Sequence, residues 1–360
     1  MSLNVLVTGA SGYIGGSIVA EILSLKRGGT LGALVIHAAV RSLEQAQSLT
    51  KLDVNVFQLN LSDETAVTES LLSNDIDLVI NNATCIDPQI ASSLISGLQK
   101  QREATGREVF FVQTTGLSAF DENTNWPFGE VKDTDNVYGL ERQSRETYVV
   151  REVDTFVIEQ TKKAGVTGFL IFPPTLHGRG SGTWNQLSPQ IPALIQASIN
   201  HKQVYKFGES RDATLAHVSD VAKFYGQLIE AIFLGKKLPA GEDGHYFLVS
   251  HVVSWWDIMD RLAANLHERG LVTTASTKVW PSDEMAAESV GVPTRFAHSI
   301  WNSSPKVLCE KATIIGWKPV WTGESFLNSL YQEVDDFLEL GLPKSSLLHS
   351  LKPVSGHDMN

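Results

Sequence analysis

The chain has 360 residues and a net charge of -11, with 29 Lys and Arg residues against 40 Asp and Glu residues. An acidic chain has no electrostatic footprint for nucleic acid or for an anionic membrane surface, so we expect neither as a partner. Hydrophobic residues make up 42% of the chain and charged residues 19%, as in ordinary globular proteins. This composition excludes a mainly disordered or fibrous protein.

The cysteines and the apolar segments bear on the compartment in which we expect the protein. Cys85 and Cys309 lie far apart in the sequence, which excludes a disulfide scaffold and a cysteine-based zinc site. No cluster of His, Asp and Glu has metal-ligand spacing, so we predict no metal. No apolar stretch approaches the ~18–20 residues that span a bilayer, and the N-terminus has no basic leader. We therefore expect a cytoplasmic protein.

Short apolar segments alternate with amphipathic segments in the first half of the chain. The predicted strands are 4–8, 33–40, 54–59, 76–80, 108–113 and 168–172. The predicted helices are 13–24, 43–52, 62–72, 88–101 and 155–163. Because the strands are continuously apolar, the sheet they form should be buried on both faces. Repeated strand-helix order then predicts an α/β fold with a doubly wound parallel sheet.

The pattern changes after Pro173. Further helices are predicted at about 185–200, 219–233, 255–268 and 326–340, with short strands between them. We predict a first domain over residues 1–178, built on the parallel sheet, and a smaller mixed domain over residues 179–360. Residues 215–235 or so are expected to return to the first domain.

A glycine-rich turn follows the first strand and opens the first helix. Gly9 permits a tight turn, Gly12 lets the backbone approach a pyrophosphate, and Gly15 lets helix and strand pack closely. The helix N-terminus adds unpaired N–H groups and the positive end of its dipole. The residues that we assign to cofactor binding here are Gly9, Ser11, Gly12, Tyr13, Ile14 and Gly15. The alternative is a glycine-rich turn with no ligand.

The Gly-x-x-Gly-x-x-Gly spacing resembles the fingerprint of extended and atypical short-chain dehydrogenase/reductases. Further segments resemble motifs of that family in the family's own order, and together they run from residue 5 to about 340. These segments are Asn81–Thr84, Val112–Gly116, Phe172–Gly180, His217–Ala222 and Gly316–Pro319. In detail the chain looks most similar to fungal-type NAD(P)-binding proteins, related to NmrA-like and epimerase-like members.

This resemblance implies a Rossmann domain, a nicotinamide dinucleotide cofactor and a substrate domain at the carboxyl edge of the sheet. Asn60 and Leu61 stand where the family carries Asp-Leu against the adenine. The other cofactor-binding positions that the resemblance implies are Asn82, Ala83, Thr114 and Pro173.

The end of the second strand indicates which cofactor is used. Members that bind NAD carry an acidic residue there for the adenosine ribose. In this chain the segment has no carboxylate, and Arg41 lies just past the strand. Since arginine forms a charge-assisted fork with a phosphate, we predict NADP(H). The alternative is that Arg41 is a solvated residue at the start of a helix.

The catalytic centre departs from the family's pattern. Active members use a Tyr-x-x-x-Lys pair, because a phenol with a pKa of ~10 needs a cation nearby to act as a base at neutral pH. Thr115 fits the place of the family's Ser or Thr, but no Tyr-x-x-x-Lys follows it. Tyr138 and Arg142 give Tyr-x-x-x-Arg, in a helix about two turns too long before Gly165.

Counting back from Gly165 gives another alignment, near Glu146 and Val150 and close to Tyr148 and Arg151. The catalytic candidates are therefore Thr115, Tyr138 and Tyr148. His177 and His217 could also donate a proton, although structural roles for both fit the sequence better.

Several loop residues are expected near the substrate. Trp126 and Trp184 should border the cleft, and the glycines of 178–182 could let that loop act as a lid. Arg211 could contact a substrate phosphate, as in nucleotide-sugar members of the family, although a surface ion pair fits it better.

We predict an NADP(H)-dependent oxidoreductase acting on the carbonyl, alcohol or conjugated alkene of a small metabolite, as a monomer or homodimer. The missing lysine motivates a second reading, a redox-silent isomerase, cyclase or lyase on the same fold. The third reading is a non-catalytic NADP(H) sensor that binds a partner protein, as NmrA-like members do.

Overall fold

A computed structural model of the chain describes residues 3–344. Its strands are β1 (Leu3–Thr8), β2 (Leu34–Val40), β3 (Asn55–Gln58), β4 (Leu78–Asn81), β5 (Phe110–Thr114), β6 (Val131–Lys132), β7 (Thr167–Phe172), β8 (Thr175–His177), β9 (Tyr205–Lys206), β10 (Asp212–His217), β11 (His245–Phe247), β12 (His251–Ser254), β13 (Lys278–Val279) and β14 (Val307–Leu308).

Thirteen α-helices lie between and after these strands within residues 3–344. They are α1 (Tyr13–Arg27), α2 (Leu43–Leu49), α3 (Glu64–Ser73), α4 (Pro88–Thr105), α5 (Val137–Ser144), α6 (Val149–Ala164), α7 (Gln190–His201), α8 (Val218–Phe233), α9 (Trp255–Glu268), α10 (Asp283–Val290), α11 (Thr294–Trp301), α12 (Ala312–Ile315) and α13 (Gly323–Leu340). Among the described helices, none combines the length and apolar character needed to cross a bilayer.

The central sheet has seven strands in the order β11-β7-β5-β4-β1-β2-β3, and every neighbouring pair is parallel. The chain thus starts in the middle of the sheet, winds outward in one direction to β3 and then in the other to β11. The predicted α/β fold with a doubly wound parallel sheet is confirmed.

Both faces of the sheet are covered, which explains the continuously apolar strands. In β1, Val5 and Val7 point into a core shared with α1 and α8, whereas Leu6 points into a second core against α3, α4 and α6. Alternate residues of a strand face opposite sides, so a strand covered on both sides needs apolar residues throughout.

The second half of the chain builds a third core from α7, α9, α10, α11 and α13. A small sheet of order β12-β10-β8 connects this core to the first half. Helix α8 packs against α1, and β11 is an edge strand of the central sheet. Residues 218–233 and 245–247 therefore lie with the first half of the chain.

The fold brings the loops after β1, β2, β4 and β5 to one edge of the sheet. In doubly wound sheets a ligand binds outside the carboxyl ends of the strands, where the winding direction reverses. Here that reversal falls between β1 and β4, directly above the glycine-rich turn.

Candidate cofactor cleft and active site

A cleft of about 500 Å³ runs along the carboxyl edge of the sheet. It is lined by twelve of the predicted cofactor-binding residues: Gly9, Ser11, Gly12, Tyr13, Ile14, Gly15, Arg41, Asn60, Leu61, Asn82, Ala83 and Thr114. The far wall includes Trp184 and Lys344, and the Lys344 ammonium lies 3.9 Å from the centre of the Trp184 ring.

The glycine-rich turn leaves room only for backbone. Gly9 has a φ of 62°, and a Cβ there would lie 2.7 Å from the carbonyl oxygen of Asn82. A Cβ on Gly15 would collide with the carbonyl oxygen of Gly9. The turn thus holds the N-terminus of α1 against the cleft, where its backbone N–H groups favour an anion.

Beside the turn, Asn82 presents an unused donor. Its Oδ1 accepts a hydrogen bond from Thr114 Oγ1 (2.5 Å), and Thr114 Oγ1 also lies 2.5 Å from the Tyr225 hydroxyl. The Asn82 Nδ2 group is buried and has no partner among the described residues. A buried donor without an acceptor costs free energy, so it favours a ligand that brings an acceptor. Together with the glycine cradle, it fits a nicotinamide dinucleotide.

Arg41 lies at the adenosine end that the fold implies. Its backbone is held on both sides: its N–H donates to Gln45 Oε1 (3.0 Å), and its carbonyl accepts from Gln58 Nε2 (2.9 Å). Gln45 also completes a capping box with Ser42 at the start of α2. The guanidinium is exposed and makes no ion pair among residues 3–344. It is therefore available to a phosphate.

A second cavity, of about 200 Å³, adjoins the cleft, and six residues line both spaces: Tyr13, Ile14, Cys85, Ile86, Thr115 and Pro189. The predicted residue Pro173 lines this second cavity. Apolar side chains such as Leu117, Val150 and Phe296 form most of its wall. No Asp, Glu, Lys, Arg or His is among its described lining residues, so the cavity suits an uncharged ligand.

Three hydroxyl groups meet in this cavity. Tyr148 is the N-cap of α6, and its phenol donates to Ser118 Oγ (3.1 Å). Thr115 lies at the mouth, and its Oγ1 donates to Asp154 Oδ2 (2.9 Å). Burial raises the pKa of Tyr148 to about 12. At neutral pH its side chain is therefore a neutral phenol, which can donate a hydrogen bond but cannot act as a base.

Tyr138 lies elsewhere. It is in α5, its hydroxyl lies 3.4 Å from Glu159 on the outside of α6, and it lines neither cavity. A 3-10 turn at 145–147 separates α5 from α6, so the helix predicted to carry Tyr138 towards Gly165 is two helices. We therefore do not carry Tyr138 forward as a catalytic residue.

Arg151 does not replace the missing lysine. It is fully buried, and its guanidinium donates to the carbonyl oxygens of Ala119 (2.5 Å) and Thr124 (2.6 Å) and to Thr147 Oγ1 (2.6 Å). Its carbon centre lies 5.3 Å from the centre of the Tyr148 ring. The arginine thus fastens the loop after β5 to α6, and its donors are used within the protein.

Other expected cleft residues have structural surroundings. Trp126 is buried between Phe120 and Phe128 and lines neither cavity. Arg211 pairs with Glu122 (3.0 Å), as the surface alternative predicts. His177 and His217 pack with Trp321 and also lie outside both cavities. The expectation that Trp126 borders the cleft is therefore wrong, whereas Trp184 does line it.

The loop after β8 is held by a buried carboxyl group on α13. The Gly178 N–H donates to Glu333 Oε1 (2.5 Å). The Tyr13 hydroxyl donates to the Gly178 carbonyl (2.6 Å), which ties the loop to the glycine-rich turn. Burial, reinforced by the nearby Asp336, raises the pKa of Glu333 to about 7.

This raised pKa predicts a pH-dependent stability. The folded state holds a proton that the unfolded chain has lost, so the free energy of unfolding falls as pH rises from the ordinary glutamic acid pKa through about 7. Glu333→Gln keeps an acceptor for Gly178 without this cost. It should gain up to about 3 kcal/mol, relative to wild type, between about pH 5 and about pH 9 in urea unfolding. Glu339→Gln, exposed on the same helix, is the control and should leave the slope unchanged. A wild-type slope in Glu333→Gln would contradict the assignment.

Known proteins resemble this chain in sequence and in fold. Residues 5–98 match the model of the NAD dependent epimerase/dehydratase family. The oxidase ucsJ of Acremonium sp is 21% identical over 344 residues, which cover 89% of this chain and 94% of the oxidase.

Two solved structures share the fold over nearly the whole chain. UDP-glucuronic acid 4-epimerase of Bacillus cereus, in complex with UDP-glucuronic acid and NAD, has a TM-score of 0.62 at 15% identity, covering 93% of this chain and 100% of the epimerase. Vestitone reductase of alfalfa has a TM-score of 0.59 at 17% identity, covering 94% of this chain and 99% of the reductase. The chain has the Rossmann fold of these structures, and its first 98 residues include the segment that matches the epimerase/dehydratase family. The family match indicates an enzyme of the NAD(P)-dependent oxidoreductase kind.

Proposed function

We propose that the protein is an NADP(H)-dependent oxidoreductase that interconverts an alcohol and a carbonyl group on a small, uncharged metabolite. The observation that carries this proposal is the uncharged cavity, which adjoins the cofactor cleft. Thr115 lines both spaces, and Ser118 and Tyr148 add two hydroxyl groups to the cavity wall. A nucleotide sugar would bring a diphosphate, and the described lining offers no cation to meet it. Arg41 supports NADP(H) over NAD(H).

Each part of the chain has a distinct task in this proposal. When bound, the dinucleotide supplies or accepts a hydride at its nicotinamide ring. The turn at Gly9–Gly15 holds the pyrophosphate, and Asn82 and Thr114 line the middle of the cleft. Thr115 hydrogen-bonds the substrate oxygen, and the apolar walls exclude water from it.

The alternative, an isomerase or lyase without net redox chemistry, rests on the residues of α6 that lie near the second cavity. Val150 lines the cavity, and Asp154, one helical turn later, bonds Thr115, so a carboxyl group and not a lysine lies behind that hydroxyl. The nearby Arg151 gives its donors to groups of the protein. An isomerase or lyase would turn over substrate with no net change in cofactor. The apolar second cavity beside the cofactor cleft favours either enzyme over a non-catalytic sensor.

A substrate screen tests the proposal. Purified protein is incubated with NADPH and the neutral ketones tetralone, acetophenone or cyclohexenone, and the loss of reduced-nicotinamide absorbance is recorded. We expect turnover with at least one neutral ketone and none with UDP-glucuronic acid. Turnover of UDP-glucuronic acid, with none of any neutral ketone, would contradict the proposed substrate class.

The Tyr148→Phe variant should lower kcat for ketone reduction by about tenfold, because the phenol no longer donates a hydrogen bond of about 0.5–1.5 kcal/mol to the substrate oxygen and Ser118 replaces it only in part. NADPH affinity should be unchanged, because Tyr148 lines the second cavity and not the cofactor cleft. Tyr138→Phe, which removes a hydroxyl outside both cavities, is the matched control and should retain wild-type kcat. Equal losses in both variants would contradict the assignment of Tyr148.

A further inference from the structure

Two buried carboxyl groups lie directly behind Thr115. Asp154 on α6 and Glu141 on α5 are both fully buried. Asp154 Oδ2 accepts the hydrogen bond of Thr115, and Glu141 Oε2 lies 3.0 Å from Nε2 of His245 on β11. The polar groups Thr115, Asp154, Glu141 and His245 thus form a chain that leads from the substrate cavity into the protein.

The remaining two carboxyl oxygens imply a shared proton. Asp154 Oδ1 and Glu141 Oε1 are buried, and neither has a partner among residues 3–344 other than the opposing carboxyl group. Two carboxylates in one dry site cannot both ionise, so the pair holds a proton between these oxygens. Burial raises the pKa of Glu141 to about 8 and that of Asp154 well above its ordinary value.

The charged and titratable groups around the pair come from each neighbouring element. Arg151 on α6 is the nearby cation and opposes part of the rise in both pKa values. Cys85, after β4, remains a thiol because burial raises its pKa to about 12. His245 stays neutral because burial lowers its pKa to about 3. The pair therefore keeps at least one proton at neutral pH, beside the cation Arg151.

The direction of the hydrogen bond at Thr115 decides what the site accepts. A threonine hydroxyl has one proton, and Thr115 gives it to Asp154. Its oxygen therefore meets the substrate as a hydrogen-bond acceptor, and the group that complements it is an O–H donor.

We propose that Asp154 is a positioning residue that takes up, through Thr115, the proton of an alcohol substrate, so that the enzyme oxidises a neutral alcohol. This inference rests on the proposed function and narrows it. The alcohol proton moves to Thr115 Oγ1 as the proton of Thr115 moves to Asp154 Oδ2. The alcohol C–H bond breaks, its electron pair and hydrogen go to the oxidised nicotinamide dinucleotide, and a C=O bond forms. The carboxyl pair then holds two protons and is neutral.

Asp154→Asn tests this role, because the asparagine oxygen still accepts the hydrogen bond of Thr115 but cannot hold the proton. With tetralol and NADP⁺ as probes, the wild-type rate of NADP⁺ reduction should rise with pH as the pair loses its second proton. In Asp154→Asn the rate should fall by at least about tenfold and lose this pH dependence. Glu152→Gln, exposed on the same helix, is the control and should keep the wild-type profile. A wild-type pH profile in Asp154→Asn would overturn the proposal.

Infrared spectroscopy of the cofactor-free protein provides a readout that does not need turnover. The spectra are recorded in a Glu333→Gln background, which removes the contribution of a carboxyl group with a pKa of about 7. At neutral pH this protein should show the C=O stretch of a protonated carboxyl group, and the band should disappear or shift on adding Asp154→Asn or Glu141→Gln but not Glu152→Gln. If a neutral alcohol or ketone turns over but the band is missing, the proton-holding role of Asp154 and Glu141 is overturned and the proposed function stands. The band without turnover of any neutral alcohol or ketone overturns the proposed function and the alcohol assignment with it.

Discussion

Thr115→Val is expected to reduce kcat for alcohol oxidation and ketone reduction by about 10²–10⁴-fold, the range for the loss of a positioned proton-transfer group. Valine has nearly the same shape as threonine but cannot bond either the substrate oxygen or Asp154. Thr115 lies where the cofactor cleft and the second cavity meet. Among the described residues, Tyr13 is the only other one with a hydroxyl group that lines both spaces, and its hydroxyl donates to the Gly178 carbonyl. Stopped-flow absorbance of reduced nicotinamide measures the effect.

The controls separate chemistry from folding. Thr115→Ser restores the hydroxyl and should recover most of the activity. NADPH binding by Thr115→Val, measured by calorimetry, should stay close to wild type, because the pyrophosphate contacts lie in the turn at Gly9–Gly15. A folded Thr115→Val variant with wild-type kcat would show that Thr115 takes no part in the reaction.

Arg41→Ala is expected to weaken NADPH binding by about 1.5–3 kcal/mol, the range for a hydrogen bond to a charged group, and to leave NADH binding unchanged. The reason is that the two cofactors differ only in the adenosine phosphate, and Arg41 is the exposed cation at that end of the described cleft. Calorimetric titration of both nucleotides into wild type and variant measures the difference.

Lys51→Ala is the matched control for Arg41. Lys51 is exposed just after α2 and does not line the cleft, so its removal changes the net charge equally without removing a contact. Binding of both nucleotides should be nearly unchanged. Equal weakening of NADPH and NADH in Arg41→Ala, or wild-type NADPH binding, would contradict the NADP(H) assignment.

The fold could be predicted because its signals are local. A strand such as β1 is apolar on both faces, and Gly9 and Gly15 are required by close contacts with backbone atoms. Arg41 was likewise visible as the cation that stands where a carboxylate is expected. These features depend on residues near one another in the sequence.

The proton-transfer centre could not be predicted from the same information. A search for Tyr-x-x-x-Lys finds no lysine, and nothing in the sequence around Asp154 distinguishes it from an ordinary helical aspartate. Its contact with Thr115 spans 39 residues, and the contact between Glu141 and His245 spans 104. Only folding brings these groups together. Arg151 lies close to Tyr148 in the sequence, but burial directs its guanidinium to backbone carbonyls.

The most direct test of the proposed oxidoreductase activity is to follow the hydride itself. NADPH that carries deuterium on the reactive face of its nicotinamide ring is incubated with the enzyme and whichever neutral ketone of the screen turns over, and the alcohol product is analysed by mass spectrometry. We expect one deuterium in each alcohol molecule and one NADPH consumed for each product. Product that forms without deuterium and without consumption of NADPH would contradict hydride transfer and would favour the redox-silent alternative.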